Sequence, residues 1–246
     1  MDLSEKQLTS PAGALIKTTL VDYPGRVACT IFLKGCNLRC PYCYNGAIVH
    51  GLDDPSFVSA ETAVAHLEKR KKVLTGFVIS GGEPLLNPLT PYLIREAKKR
   101  GYKIKLDTNG TLPDLLKNII ENTETKPDFI ALDIKTSPEK YAELLAPADS
   151  RQNNFADKLQ QSVKIVSAYP SDKREFRTVL VPPLVASEDI QNIAKILPPD
   201  ASWQFAQFRN ENCLNPEYNK IAPYIDAELK ALVSQAKTII PGAALR

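Results

Sequence analysis

The sequence predicts an α/β protein built on a mostly parallel sheet. Two observations carry that expectation. Short β-branched runs alternate with helical periodicity six times along the chain, and strands that alternate with helices pair in parallel through right-handed crossovers. The polar and glycine-rich stretches also fall directly after the strand candidates, mostly on the edge where ligand sites of such sheets form. Periodicity alone leaves two architectures open, a doubly wound sheet and a barrel.

Taken in order, the strand candidates are VACTIFL (27–33), GFVIS (76–80), YKIKLD (102–107), DFIALD (128–133), FRTVLV (176–181) and WQFAQF (203–208). Each is short, apolar and rich in β-branched or aromatic residues. The helical patterns between them span 59–74, 90–100, 112–120, 155–168, 188–197 and 226–236. The second of these has Thr90 as its expected cap, Pro91 at the first helical position and Gly101 as its stop. The 19 prolines, among them Pro182-Pro183 and Pro198-Pro199, sit at element ends, where they punctuate rather than disrupt.

A chain of 246 residues with 43% hydrophobic content can bury one sizeable core. We therefore expect a single domain over 1–246, with an N-terminal extension (1–26), a βα core (27–210) and a C-terminal helix and tail (211–246). The net charge is +3. The basic runs 69–72 and 98–100 fall at helix ends, where cations suit the dipole, so they do not read as a nucleic-acid surface. No stretch approaches the ~20 apolar residues of a membrane span. The opening MDLSEKQLTS has no apolar signal region, and the cysteines number five, an odd count with three clustered. Both features point to a reducing cytoplasm.

The segments just after the strands are more specific. After the first comes GCNLRCPYCYN (35–45), with Cys36, Cys40 and Cys43 spaced Cys-x3-Cys-x2-Cys. Zinc in a structural site needs four ligands, and His50 is the nearest further candidate. A cubane iron–sulfur cluster usually takes four thiolates. Held by three, it keeps one iron open to a ligand, which suits catalysis better than scaffolding. After the second strand comes Gly81-Gly82-Glu83-Pro84. Glycines let a backbone approach a ligand closely, and a carboxylate pairs with an ammonium group. A plain strand-to-helix turn would use the same residues.

Together, the cysteine loop with Tyr42 before its last thiol and the GGEP motif one strand later resemble the radical S-adenosylmethionine enzymes. The resemblance implies that Cys36, Cys40 and Cys43 hold a [4Fe-4S] cluster. Its open iron would chelate the cofactor's methionine, and an electron would release a 5′-deoxyadenosyl radical. Gly81, Gly82 and Glu83 would meet the methionine amine.

LVDYPGRVACTIFLKGCNLRCPYCYN (20–45) further resembles the start of glycyl-radical-enzyme activases, nearest to those of anaerobic ribonucleoside-triphosphate reductase. DTNG (107–110), LDIK (132–135), FRTVLVP (176–182) and QFR (207–209) agree with that likeness. Tyr44 departs from it, because most such activases carry histidine there. With six strands, the likeness implies an incomplete (β/α)6 barrel of TIM type. It also implies that Asp107, Thr108, Asp133 and Lys135 line the ribose and methionine. In pyruvate formate-lyase activases the acidic members help hold a monovalent cation, and Asp107 and Asp133 would do so through hard oxygen ligands. A bland reading pairs these charged strand ends with Lys135. Arg177 is a candidate for a cofactor or substrate carboxylate, although alternation along its strand does not fix its direction.

A protein substrate is expected. A chain this short leaves little room for a lid, and six strands leave a lateral opening for an inserted loop. The implied partners are a glycyl radical enzyme and a flavodoxin or ferredoxin-type electron donor. Two alternatives stand beside this reading. One is a small-molecule radical enzyme similar to 7-carboxy-7-deazaguanine synthase, and the other is a non-catalytic zinc-binding module. Cys29 and Cys213 read as buried structural residues, so one cluster is expected.

Overall fold

All six strand runs read from the sequence are strands of the computed structural model, which describes residues 3–151 and 153–246. The elements are α1 (Glu5–Thr9), β1 (Pro11–Thr19), β2 (Ala28–Leu33), α2 (Gly46–His50), β3 (Val58–Ser59), α3 (Ala60–Arg70), β4 (Gly76–Gly81), α4 (Leu89–Lys99) and β5 (Lys103–Thr108). Next along the chain come α5 (Pro113–Glu121), β6 (Phe129–Asp133), α6 (Tyr141–Leu144), α7 (Phe155–Ser167), β7 (Arg174–Leu180), α8 (Ser187–Ala194), β8 (Trp203–Gln207), α9 (Asp226–Ile239) and β9 (Ala243–Leu245).

Two compact units divide these elements. The first comprises the described residues up to Asn37 together with Ala47–Thr108 and Asp114–Ile130, and the second comprises Leu38–Gly46, Asn109–Pro113 and Ala131–Arg246. In the first unit the strand order is β3-β1-β2-β4-β5, and in the second it is β6-β7-β8-β9. β2, β4 and β5 are parallel, as are β7, β8 and β9. This is an α/β fold with a mostly parallel, open sheet, in keeping with an incomplete TIM-type barrel.

β2 and β4 read as unbroken apolar runs because both of their faces are covered. Their register sets Thr30 beside Val78 and Val78 beside Lys105. Parallel partners side by side share a face, so these three residues line one side of the sheet. On that side Tyr23, Ala28, Val78 and Phe129 close into a buried apolar cluster.

Two segments are more structured than the sequence suggested. The stretch read as an N-terminal extension supplies β1, which pairs antiparallel to β2 with Gly13 opposite Leu33. Any side chain at Gly13 would stand 1.9 Å from the Phe32 carbonyl oxygen. The polar end Lys17-Thr18-Thr19 hid this strand, because only part of it is buried. The tail after α9 likewise adds a short strand, β9, parallel to β8. The strands are therefore mostly parallel rather than all parallel.

The start of α4 also differs from expectation. Thr90 does not cap it. The segment after Glu83 folds as a tight 3-10 turn, Pro84–Leu86, and Asn87 accepts from the Leu89 N–H at 3.0 Å. The Thr90 hydroxyl instead donates to the Pro84 carbonyl at 2.6 Å. Gly101, at φ +84°, ends the helix as predicted. Among the described residues, no helix is long and apolar enough to cross a membrane.

Candidate functional site

In the first unit, the residues singled out by sequence gather at the carboxyl ends of β2, β4 and β5. Gly82 is packed against the start of the cysteine loop. A Cβ at Gly82 would meet the Gly35 carbonyl oxygen at 2.1 Å and the Cys36 Cβ at 3.0 Å. Gly81 adopts φ +125°, a region that favours glycine, and a Cβ there would fall 2.3 Å from Leu33 backbone atoms. The Glu83 N–H donates to the Gly35 carbonyl at 2.8 Å and the Gly82 N–H to the Leu33 carbonyl at 2.9 Å. The two glycines thus clamp the Cys36 loop directly onto the motif expected to meet the cofactor.

The Glu83 side chain is fully buried. Its Oε1 accepts from the Leu85 N–H at 3.1 Å and from the Thr108 hydroxyl at 2.9 Å. Glu83 therefore caps the tight turn and joins the ends of β4 and β5. The turn reading of GGEP is correct, and the carboxylate is at the same time held in one place. Thr108 takes its place in the site through this bond. Asp107 is paired with Lys105, whose Nζ lies 2.6 Å from Oδ1. His50, the alternative zinc ligand, is exposed at the end of α2.

In the second unit, Asp133 at the end of β6 accepts from Arg177 Nε at 2.6 Å and faces Lys135 Nζ at 3.5 Å. Arg177 therefore points toward the end of β6, which alternation along its strand had left open. The bland reading of an Asp133–Lys135 pair also holds. Burial opposes the Lys135 charge, yet Tyr42, Asp133, Cys40 and Tyr141 around it hold the ammonium well above its usual pKa. Burial pushes the Tyr42 phenol well above its ordinary value, so it stays protonated. The Tyr42 ring packs edge-on to Phe208 at 6.5 Å, and its hydroxyl is buried without a hydrogen-bond partner. Tyr44 is largely exposed.

Three contributors escaped the sequence reading. Lys105 is one. Tyr141 is another, since its hydroxyl accepts from the Lys135 N–H at 2.8 Å. The third is the segment after Arg209, which holds the cysteine loop through the Leu214 N–H to the Cys43 carbonyl (2.7 Å) and the Asn215 N–H to the Pro41 carbonyl (2.9 Å). Only Lys105 left a signal, namely a basic residue two places before Asp107 on one strand face. Tyr141 acts through a side-chain contact six residues back, and the segment after Arg209 through long-range backbone contacts, neither of which leaves a motif.

The chemistry of the donor set fits an iron–sulfur cluster. None of the five cysteines forms a disulfide, and Cys36 and Cys43 are partly accessible while Cys40 is buried. Among the described residues no group of three or more His, Cys, Asp or Glu side chains could hold a single metal ion as it stands. A cubane does not ask for convergence on one point, because each thiolate takes a separate iron. Cys29 lies inside β2, and burial lifts its thiol to about 12, which makes it an inert core residue. Burial likewise raises the Cys213 thiol, and its Sγ lies 3.8 Å from the Arg209 carbonyl as a donor.

Known proteins resemble this chain to different extents. The family model described as the radical SAM superfamily matches residues 30–185. A protein of Methanocaldococcus jannaschii named "Putative glycyl-radical enzyme activating enzyme" is 29% identical over 235 residues, covering 94% of each chain. The pyruvate formate-lyase-activating enzyme of Staphylococcus aureus is 30% identical over 172 residues, covering 63% of this chain and 68% of its own. Among solved structures, TYW1 with a lysine-pyruvate adduct bound superposes with a TM-score of 0.59 at 14% identity, over 86% of this chain and 72% of that one. That last likeness concerns the fold alone.

Proposed function

The chain belongs to the radical SAM superfamily, and from that premise we propose that it activates a glycyl radical enzyme by removing the α-hydrogen of one glycine in that partner. The observation that carries the proposal is the end-to-end match to an activating-enzyme relative, over 94% of both chains. The family's cofactors are a [4Fe-4S] cluster and S-adenosylmethionine. When bound, they supply a 5′-deoxyadenosyl radical, the species that takes the hydrogen.

This chain's residues hold and orient those groups. Cys36, Cys40 and Cys43 are the cluster's protein ligands. Gly81 and Gly82 let the backbone approach the methionine end of the cofactor. Glu83 offers a carboxylate fixed by Leu85 and Thr108. The resemblance gives cofactor-binding roles to Tyr42, Asp107, Asp133, Lys135 and Arg177 as well, and the paired charges of the last three limit how far any of them can swing. A reactive radical needs its target C–H bond held close and away from water.

The partner in this proposal is an anaerobic ribonucleoside-triphosphate reductase. The VDYPG element and the cysteine loop (20–45) support that choice. The reductant is a flavodoxin or ferredoxin, the compartment the cytoplasm, and the chain works as one radical SAM domain. The family match, which spans parts of both compact units, supports that last point.

The test mixes anaerobically reconstituted protein with the partner, S-adenosylmethionine and dithionite. A glycyl doublet should appear in the electron paramagnetic resonance spectrum, carried by the partner. α-Deuterated glycine in the partner should collapse its splitting and put the label into 5′-deoxyadenosine. Consumption of a small molecule with each cofactor cleaved, without label transfer, would replace this reading with that of a small-molecule radical enzyme.

A further inference from the structure

Lys105 brings its side chain into the first unit with no solvent exposure at all. A lysine is almost never buried in this way without a partner, because stripping water from an ammonium group is expensive. Its partner is Asp107, at 2.6 Å. The two lie two residues apart on β5 and so project from the same face. Asp107 stands at the strand's carboxyl end, and Lys105 reaches it from the residue pair below. The Phe129 ring centroid is 5.9 Å from the ammonium, and Phe129 belongs to the apolar cluster with Tyr23, Ala28 and Val78.

A monovalent metal cation at Asp107 would need several oxygen ligands grouped around it. Here a covalently tethered cation already stands at hydrogen-bond distance from that carboxylate. A second cation on the same group would face the Lys105 charge at close range with little water between them. The residues present do not fit a metal cation at Asp107.

We infer that Lys105 is the built-in counter-cation of this site. Its ammonium neutralises Asp107 and fixes the direction of the carboxylate, so Asp107 meets the cofactor without a bound metal ion. Lys105 is a positioning residue that acts through Asp107. The inference rests on the reading of Asp107 as a cofactor-binding residue.

The test compares the full chain in choline, sodium and potassium chloride at equal ionic strength. The wild-type apoprotein should unfold at the same temperature in all three. Lys105→Met, similar in length but uncharged, should unfold several degrees lower in choline and recover in potassium or ammonium chloride, because a buried carboxylate that has lost its ammonium recruits a cation. Lys105→Met combined with Asp107→Asn removes both charges and should be indifferent to the salt. If the single variant does not fold in choline while the double variant does, the pairing is supported. With the cluster loaded, Lys105→Met should bind S-adenosylmethionine about tenfold more weakly in choline and regain affinity in potassium.

Two results would overturn the inference. One is a wild-type protein stabilised by potassium or sodium over choline. The other is a Lys105→Met variant as indifferent to the cation as the wild type. Cluster-loaded wild type that binds no S-adenosylmethionine would instead refute the functional reading, with the apoprotein salt comparison still deciding the role of Lys105.

Discussion

Gly82→Ala adds one methyl group at the tightest point of the candidate site. The new Cβ would stand 2.1 Å from the Gly35 carbonyl oxygen, 2.7 Å from its carbon and 3.0 Å from the Cys36 Cβ, where real Cβ contacts essentially never fall below 3.0 Å. The loop must therefore recede by about 0.9 Å. The obstruction is backbone, so no side-chain rotation relieves it. Overpacking of this kind costs about 1–3 kcal/mol, which for a chain of this size lowers the unfolding midpoint by roughly 2–12 °C. The functional loss should exceed that fall, because a displacement of about 1 Å at a reacting centre can cost up to roughly 100-fold. Gly25→Ala is the control. Gly25 has φ +71° but nothing within 4 Å of a built Cβ, so it should cost about 1 kcal/mol of backbone strain and leave the site alone. The assays are thermal unfolding, iron per chain after anaerobic reconstitution, and the rate of S-adenosylmethionine cleavage under dithionite. Gly82→Ala should lose iron or cleavage, and Gly25→Ala only stability. A Gly82→Ala protein with normal iron and normal cleavage would show that GGEP does not clamp the cysteine loop.

Replacing Cys36, Cys40 or Cys43 by alanine should each abolish iron uptake and the broad thiolate-to-iron absorption, whereas Cys29→Ala and Cys213→Ala should retain both; stoichiometric zinc in place of iron would reverse the assignment. Glu83→Ala should weaken S-adenosylmethionine binding with the cluster intact. It should also destabilise the protein by about 1–3 kcal/mol, since the Leu85 N–H and Thr108 hydroxyl lose their buried acceptor; unchanged affinity in a titration would reduce the motif to a turn. In alkali the protein should lose stability, because burial lifts the Cys29 thiol from 9.0 and the Tyr23 phenol from 10.0 to about 12. The unfolded chain releases these protons first, so the stabilisation is complete below pH 9 and is lost as pH rises towards 12. For Cys29 the loss is at most about 4 kcal/mol, and urea midpoints of Cys29→Ala should fall less steeply over that range than those of the wild type.

Much of this fold was legible because its strands are covered on both faces. Such strands appear in a sequence as unbroken apolar runs, as ACTIFL and FIALD do, and no neighbour is needed to recognise them. β1 was not legible for the converse reason. With Ile16 exposed and a polar end at Lys17-Thr18-Thr19, its strand character comes from pairing with β2, which is a property of two segments rather than one. The start of α4 was misread on similar grounds. Thr90 is a good cap in isolation, but the turn imposed by Pro84 and Asn87 moved the helix start and gave its hydroxyl another acceptor.

The site divides in the same way. Cysteine spacing and GGEP are local, and the structure holds them together through contacts between the loops that follow adjoining strands, Gly35 with Gly82 and Glu83. The charged residues are another matter. Asp133 was legible as a strand-end acid, yet its stronger partner is Arg177, 44 residues away on the next strand. Pairing with Lys135 alone could not have told whether this carboxylate serves the site or the strand end. With Arg177 at 2.6 Å and Lys135 at 3.5 Å, Asp133 is held by two cations, as Asp107 is held by Lys105 in the other unit. Carboxylates at the ends of β5 and β6 are thus neutralised by the chain itself. Acidic residues in a cofactor motif mark where charge is needed, but the basic residues that answer them decide whether an external cation is required, and those are found only once neighbouring strand positions are known.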